Sequence, residues 1–328
     1  MNDLSVLVTG ANGFIGRTLC ETMRIRGIGF LPVVRRRVSS DFVSAAVKDI
    51  GPSTDWRAEL RNIGAVVHLA ARVHAVHDSS LNPLREYRFA NVESTLNLAA
   101  QCAAAGVRRF VYISSVKVNG ESTREYPFSE LDLPAPADPY GISKYEAEVG
   151  LQRLSRETGL EVVVIRPPLV YGSKVKANFL QLMQWVNRGV PLPLASIDNR
   201  RSLIFVENLV DVILRCIKHS EAPGHTFLVS DGHDVSIAEL IRAVASAMDR
   251  QAMIFPLPPV LLRMSAILTG KKSVADRLLN SLQVDIGCAK RVLGWFPPYS
   301  FETGIDRTVR DFIETYRASE KHGAQTIV

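Results

Sequence analysis

In the run Tyr140-Gly141-Ile142-Ser143-Lys144, a phenol and an ammonium stand one helical turn apart. On a helix both project from one face. A free tyrosine titrates near pH 10, and a cation within ~4–6 Å lowers that by ~1–3 units, enough to exchange a proton with a hydroxyl or ketone near neutrality. Upstream, Arg109-Phe110-Val111-Tyr112-Ile113-Ser114-Ser115 is a strand-like run ending in two hydroxyls. That C-terminal edge is where open α/β sheets bind ligands. A third group, Gly10-Ala11-Asn12-Gly13-Phe14-Ile15-Gly16, follows one strand-like run and opens a helical one. There Gly10 suits a sharp turn, Gly13 a close approach of backbone to a pyrophosphate, and Gly16 close helix–strand packing, with the phosphates at the helix N-terminus.

About 20 residues past such a turn an acidic residue bonds the adenosine ribose in NAD-binding folds. Here that position falls on Arg35. A guanidinium cannot accept from a hydroxyl but pairs with a 2′-phosphate, which favours NADP(H) over NAD(H). The alternative is that Arg35 to Arg37 form a solvated loop. Pro32 removes a ladder donor and leaves the register of this strand open by one residue. His68, His74 and His77 lack a convincing third ligand, so they read as loop residues near a substrate mouth and no metal is expected.

The elements that must position these groups alternate. Strand-like runs at Val6 to Val8, Gly29 to Val34, Ala65 to Leu69, Phe110 to Ser114 and Glu161 to Ile165 are separated by helical patterns. Such alternation implies βαβ units and a parallel sheet, and the unbroken apolar run Val162 to Ile165 suits a strand covered on both faces. A helix is predicted from about Tyr140 to Glu157, with Ala147, Leu151 and Leu154 on one stripe and Gly159 as its stop. From about Tyr171 the pattern loosens into prolines and separated helices. The expectation is therefore an α/β protein with a doubly wound, Rossmann-type domain over 1–170 and a smaller C-terminal α/β substrate lobe over 171–317. In that lobe Ser236 and Glu239 have capping-box spacing before Leu240, Val244 and Met248. Another helix covers about Phe301 to Tyr316, and the tail from Ala318 to Val328 should fray.

The 328 residues carry 39 Lys and Arg against 33 Asp and Glu, a net charge of +6. The cations are scattered, which argues against nucleic acid and leaves solubility or attraction of small polyanions such as sugar diphosphates. Four cysteines, far apart and without a CxxC pair, exclude a disulfide framework and a zinc site. No apolar tract approaches the ~20 residues of a membrane span. Met1-Asn2-Asp3 runs into a strand without the parts of a signal peptide, so a cytoplasmic protein is expected. Phe255 to Leu268, apolar and flanked by proline, reads as a helix packed over the second lobe rather than a membrane or partner contact.

Together the glycine turn, Ser115, Tyr140 and Lys144 resemble the extended short-chain dehydrogenase/reductase family, of the NAD-dependent epimerase/dehydratase type. The likeness runs from about Leu4 to Phe312. Val67-His68-Leu69-Ala70-Ala71 is similar to the family's fourth-strand signature, Asn91-Val92 with Thr95-Leu96 to its following helix, and Arg166-Pro167-Pro168-Leu169-Val170-Tyr171-Gly172 to its link into the substrate lobe. Ala289 to Trp295 with Pro297 resembles its C-terminal segment. The resemblance implies Ser115, Tyr140 and Lys144 as catalytic residues. It implies a cofactor held by Gly10, Gly13, Phe14, Ile15, Gly16, Arg35, Asp49, Ile50, Leu69, Ala70, Ala71, Asn91, Tyr140, Lys144 and Pro167. A nucleotide sugar would meet Arg72, Asn119, Asn178 and Arg201, the last at the diphosphate.

Departures bear on the reaction. Asn119 stands where the family often has tyrosine, Ser202-Leu203 and Glu207-Asn208 replace acidic and aromatic partners after Arg201, and Val116-Lys117 lacks the acid pair of dehydratases. The leading expectation is NADPH-dependent reduction of a 4-keto nucleotide sugar, such as a UDP-4-keto-6-deoxy-N-acetylhexosamine for surface polysaccharide. In that scheme Tyr140 gives the proton, Lys144 lowers its pKa and holds the nicotinamide ribose, and Ser115 bonds the reacting oxygen. The runner-up is 4-epimerisation of a UDP-hexose with NAD, using the same residues in both directions. A non-catalytic NADP-binding scaffold is the remaining alternative, which the intact triad disfavours, and a homodimer is compatible with the resemblance.

Overall fold

The computed structural model describes residues 5–35, 46–73, 82–269 and 272–325. The first half alternates β1 (Ser5–Thr9), α1 (Phe14–Ile25), β2 (Phe30–Val34), β3 (Ala46–Val47), β4 (Ile63–His68), α2 (Pro83–Arg88), α3 (Ser94–Ala104), β5 (Arg109–Ile113), α4 (Pro139–Thr158) and β6 (Glu161–Arg166). The second half holds β7 (Leu169–Tyr171), α5 (Ala177–Asn187), β8 (Arg201–Phe205), α6 (Val206–Lys218), β9 (Thr226–Leu228), β10 (Asp234–Val235), α7 (Ile237–Ala247), α8 (Pro259–Leu268), α9 (Lys272–Leu279), α10 (Gly287–Leu293) and α11 (Phe301–Gln325).

Among the described residues, seven strands form one sheet in the order β3-β2-β1-β4-β5-β6-β9, every neighbour parallel. Alternate residues of each central strand enter opposite layers. Val6, Val8, Val67, Val111 and Val163 pack on one face with Leu19 of α1 and Ile213 of α6. Leu7, Val66, Phe110, Tyr112 and Val164 pack on the other with Leu98 of α3 and Ala147 and Leu151 of α4. Burial on both faces is why these strands are continuous apolar runs. Pro32 lies opposite Val8 of β1, and among the described residues β3 pairs with Val33 and Val34.

A smaller sheet, β10-β8-β7, and a separate apolar cluster lie beyond Tyr171, with Phe179, Leu203, Phe205, Leu240, Val244, Ile305 and Val309 in it. The second half does not stay there. β9 joins the edge of the large sheet, and α6 and α10 pack on that sheet's core. A three-residue strand carries too little pattern to announce that return. The Ser236 capping box forms, with Glu239 N–H donating to Ser236 Oγ at 3.1 Å and Ser236 N–H to Glu239 Oε2 at 2.7 Å. α11 runs through Gln325, so the segment read as a frayed tail is largely helical. Among the described residues, no helix is long and apolar enough to cross a membrane.

Candidate active site

The sheet order reverses between β1 and β4, and the crevice beyond their C-terminal ends is the expected ligand position. Gly10 follows β1 with φ +67°, a conformation that suits glycine, and an added Cβ there would lie 2.9 Å from Ala70 N. Gly13 caps α1, its N–H donating to Gly10 O at 2.9 Å. A Cβ on Gly16 would run into the Gly10 carbonyl oxygen and the Ala11 backbone. No acidic residue stands in the first turn of α1, and no side chain caps it, so its N–H groups and positive dipole end are available to an anion. Phe14 and Ile15 turn into the apolar clusters behind this turn.

These observations fit a dinucleotide. A cradle in which side chains would collide is shaped for close approach to backbone. Leu69, Ala70 and Ala71 form the facing edge, held by hydrogen bonds from Leu69 N–H and Ala70 N–H to Thr9 Oγ1 at 3.2 and 3.3 Å. Arg35 is exposed directly after β2, and Asp49 and Ile50 follow β3. Arg36, Arg37, His74 and His77 lie outside the described residues.

His68 is not the loop residue expected. It is the last residue of β4, 1% exposed, between Thr9 Oγ1 at 2.8 Å and Thr95 Oγ1 at 3.0 Å. Thr95 spends its own proton on Asn91 O at 2.7 Å, so His68 Nε2–H donates to Thr95 and Nδ1 accepts from Thr9. The imidazole is therefore neutral, and burial, followed by the Lys144 charge, pushes its pKa down to about 3. Parallel β1–β4 register, which pairs Thr9 with His68, makes this contact, and sequence spacing does not reveal that register. Among the described residues no group of His, Cys, Asp and Glu could hold a metal.

Asn91 sits in a π-helical turn at Phe89–Glu93 and is buried. Its amide accepts from Arg72 N–H at 2.7 Å and donates to Arg72 O at 3.0 Å and Ser143 Oγ at 3.0 Å. It thus pins the 69–72 edge to α4. Arg72 lies over the Tyr87 ring, and Tyr87 meets Tyr140 edge-on at 6.2 Å between centroids.

α4 starts where Asp138 Oδ1 accepts from Gly141 N–H at 2.7 Å, with Pro139 at the first helical position. Gly159, φ +76°, ends it. Its buried stripe of Gly141, Lys144, Ala147, Glu148 and Leu151 faces the sheet, which brings Tyr140 and Lys144 to the end of β5. Ser115 hydrogen-bonds the Tyr140 phenol. Lys144, 3% exposed, donates to Ile113 O at 2.8 Å, and its ammonium lies 4.6 Å from the Tyr112 ring centre and 5.9 Å from that of Tyr140. Pro167 is buried behind Ser115, its carbonyl accepting from Val116 N–H at 3.0 Å.

The electrostatics differ from the expectation that Lys144 lowers the phenol. Desolvation, then the Asp138 charge, pushes Tyr140 up, and the Ser115 hydrogen bond is what pulls it down. Burial likewise pushes Lys144 down to about 7, so the lysine is only partly charged near neutral pH.

Two substrate assignments separate. Asn119, expected on the sugar, is 2% exposed and bonded at both ends of its amide: its Nδ2–H donates to Ser129 O at 2.9 Å and its Oδ1 accepts from Arg166 at 2.9 Å. Arg166 in turn makes a two-bond pair with buried Glu148, at 3.0 and 2.5 Å, tying β6 to α4. Arg201, at the start of β8, donates to Arg277 O at 2.7 Å and Asn280 O at 2.9 Å and faces Glu121 and Arg277. Asn178 is exposed in the first turn of α5.

A model of the NAD dependent epimerase/dehydratase family matches residues 6–230. The UDP-glucose 4-epimerase of Vibrio cholerae is 45% identical over 314 residues, covering 94% of this chain and 96% of the relative. The dTDP-4-dehydro-6-deoxyglucose reductase of Escherichia coli is 26% identical over 330 residues, covering 93% and 96%. Among solved structures, MoeE5 in complex with UDP-glucuronic acid and NAD superposes with a TM-score of 0.77 at 26% identity, covering 95% of this chain and 99% of that one. With the glycine cradle at the β1–β4 switch point and the serine, tyrosine and lysine gathered at the end of β5, these matches place the chain in the NAD-dependent epimerase/dehydratase family of extended short-chain dehydrogenases/reductases.

Proposed function

We propose that the chain is a 4-epimerase of a UDP-hexose, with Ser115, Tyr140 and Lys144 as its catalytic residues. The observation that carries this over the reductase expectation is the 45% identity, along nearly the whole chain, to a UDP-glucose 4-epimerase. A dinucleotide held by the Gly10–Gly16 turn would supply the hydride acceptor and donor for the sugar carbon. Tyr140 accepts the C4 hydroxyl proton on oxidation and returns it on reduction, Ser115 hydrogen-bonds the same oxygen and favours the ionised phenol, and Lys144 stands beside the ring with its ammonium 5.9 Å from the ring centre. Arg201 is suited to the diphosphate and Asn178 to the nucleotide-sugar side of the cleft, while Asn91 acts through the edge it holds.

Reduction of a 4-keto nucleotide sugar is the second reading, because exposed Arg35 at the end of β2 suits the 2′-phosphate of NADP(H). The two readings divide on the dinucleotide. An epimerase regains its starting cofactor each cycle, so the purified protein is expected to yield bound NAD⁺ on denaturation. It should also interconvert UDP-glucose and UDP-galactose with no added reductant. Recovery of no dinucleotide, with one NADPH oxidised per 4-keto sugar reduced, overturns the epimerase reading in favour of the reductase.

A further inference from the structure

Lys117 occupies a short 3₁₀ turn, Val116–Val118, that Ser115 opens. Its backbone N–H donates to Ser115 Oγ at 3.3 Å, while its ammonium donates to Asp138 Oδ2 and, at 3.0 Å, to Glu121 Oε1. The other oxygen of Asp138 caps α4 through Gly141 N–H. Contact between turn and helix is close, since a Cβ on Gly141 would stand 2.9 Å from Lys117 O. One lysine is thus bonded on one side to the turn that carries Ser115 and on the other to the cap of the helix that carries Tyr140. The Lys117 and Asp138 side chains are each 20% exposed, so their pairing is screened less than a surface pair.

We propose that Lys117 is a positioning residue for the proton-transfer pair, holding the Ser115 turn against the capped start of α4 and balancing the Asp138 charge beside the Tyr140 phenol. Among the described residues, the groups acting on Tyr140 include Asp138, Tyr87, Ser115, Lys144 and the buried Tyr112 phenol, with Arg72 stacked behind Tyr87 and paired to Glu86. Asp138 is the acidic group among those acting on the phenol, and it acts to keep the proton on. Lys117 opposes that charge. Its second partner, Glu121, faces Arg201, so the charges alternate Asp138, Lys117, Glu121, Arg201 from the proton-transfer end of the cleft toward the diphosphate end.

This role rests on Tyr140 exchanging the proton in the proposed reaction, and two readouts separate the claims. In wild type, Lys117→Met, Lys117→Arg, Asp138→Asn and the Lys117→Met/Asp138→Asn double variant, kcat for UDP-glucose is followed against pH. The ¹³Cζ resonance of Tyr140, assigned with Tyr140→Phe, is titrated in the same proteins without substrate, and melting checks each fold. With an opposing charge removed near the phenol, Lys117→Met is expected to move the alkaline-rising limb and the onset of the ¹³Cζ change up by about one pH unit. KM should change less than about twofold, and kcat at pH 7 should fall about tenfold, in step with a tenfold smaller phenolate fraction. Lys117→Arg should restore both, and the double variant should return the limb to the wild-type position or below, because Asp138→Asn keeps a capping oxygen and loses the charge. A lowered melting temperature with an unmoved ¹³Cζ onset, or no recovery in the double variant, overturns the proposal. An inactive wild type instead counts against the epimerase reading, and the ¹³Cζ titration still decides on Lys117.

Discussion

At the scale of single residues, the proposed reaction rests its proton transfer on one phenol. Tyr140→Phe keeps the ring and its edge contact with Tyr87 but removes the transferable proton, so turnover should fall ~10²–10⁴-fold while dinucleotide binding persists. Near-normal turnover would remove Tyr140 from the mechanism. His68 makes a different prediction. Its folded pKa of about 3 lies below the unfolded value of 6.5, so above pH 6.5 it is neutral in both states and adds no pH dependence. Between 6.5 and 3 the unfolded chain takes up a proton that the folded chain refuses, and stability drains as pH falls through that window, by roughly 1.4 kcal/mol for each pH unit crossed. Urea melts across that window should therefore show a flatter profile for His68→Gln than for the wild type, even though the variant is less stable at neutral pH. Equal slopes would mean that His68 is not held neutral.

Among the elements, the glycine turn and the helices around it test how much depends on close packing. Gly16→Ala should lose dinucleotide binding and ~1–3 kcal/mol or more of stability, since its methyl meets fixed backbone at Gly10 and Ala11. Gly27→Ala, whose φ is +64° with open space around the added carbon, should cost only the backbone strain of ~1–2 kcal/mol and leave binding intact. Fluorescence titration with NADH and denaturant melts compare the two. Ser236→Ala, which breaks the capping box of α7, should cost ~0.5–2 kcal/mol without touching turnover. These elements were legible in the sequence because each has a local signature: period-two or continuous apolar runs for β1, β4, β5 and β6, a stop at Gly159 for α4, and a capping box at Ser236. What the sequence hid was non-local. The Thr9–His68–Thr95 chain depends on strand register, β9 is too short to show a pattern, and Asn119 is held by an arginine and a carbonyl that fold toward it from elsewhere in the chain. The Lys117–Asp138 pair had half a signal, since Asp138-Pro139 is a helix start, but its partner is fixed only by the fold.

For the whole molecule, one long parallel sheet places the glycine turn after β1 and Ser115, Tyr140 and Lys144 beyond β5 at the same edge, and the family follows from that arrangement together with the matched relatives. The reaction is decided by where the hydride goes. In an epimerase the hydrogen removed from C4 returns to C4 of the same sugar, whereas a reductase delivers hydrogen from a consumed dinucleotide. UDP-[4-²H]glucose incubated with the purified protein, without added cofactor, follows that atom. The account predicts formation of UDP-galactose with the deuterium retained at C4 and no net oxidation or reduction of dinucleotide. Absence of any UDP-galactose, or deuterium retained in dinucleotide recovered from the protein rather than in the epimer, would contradict it.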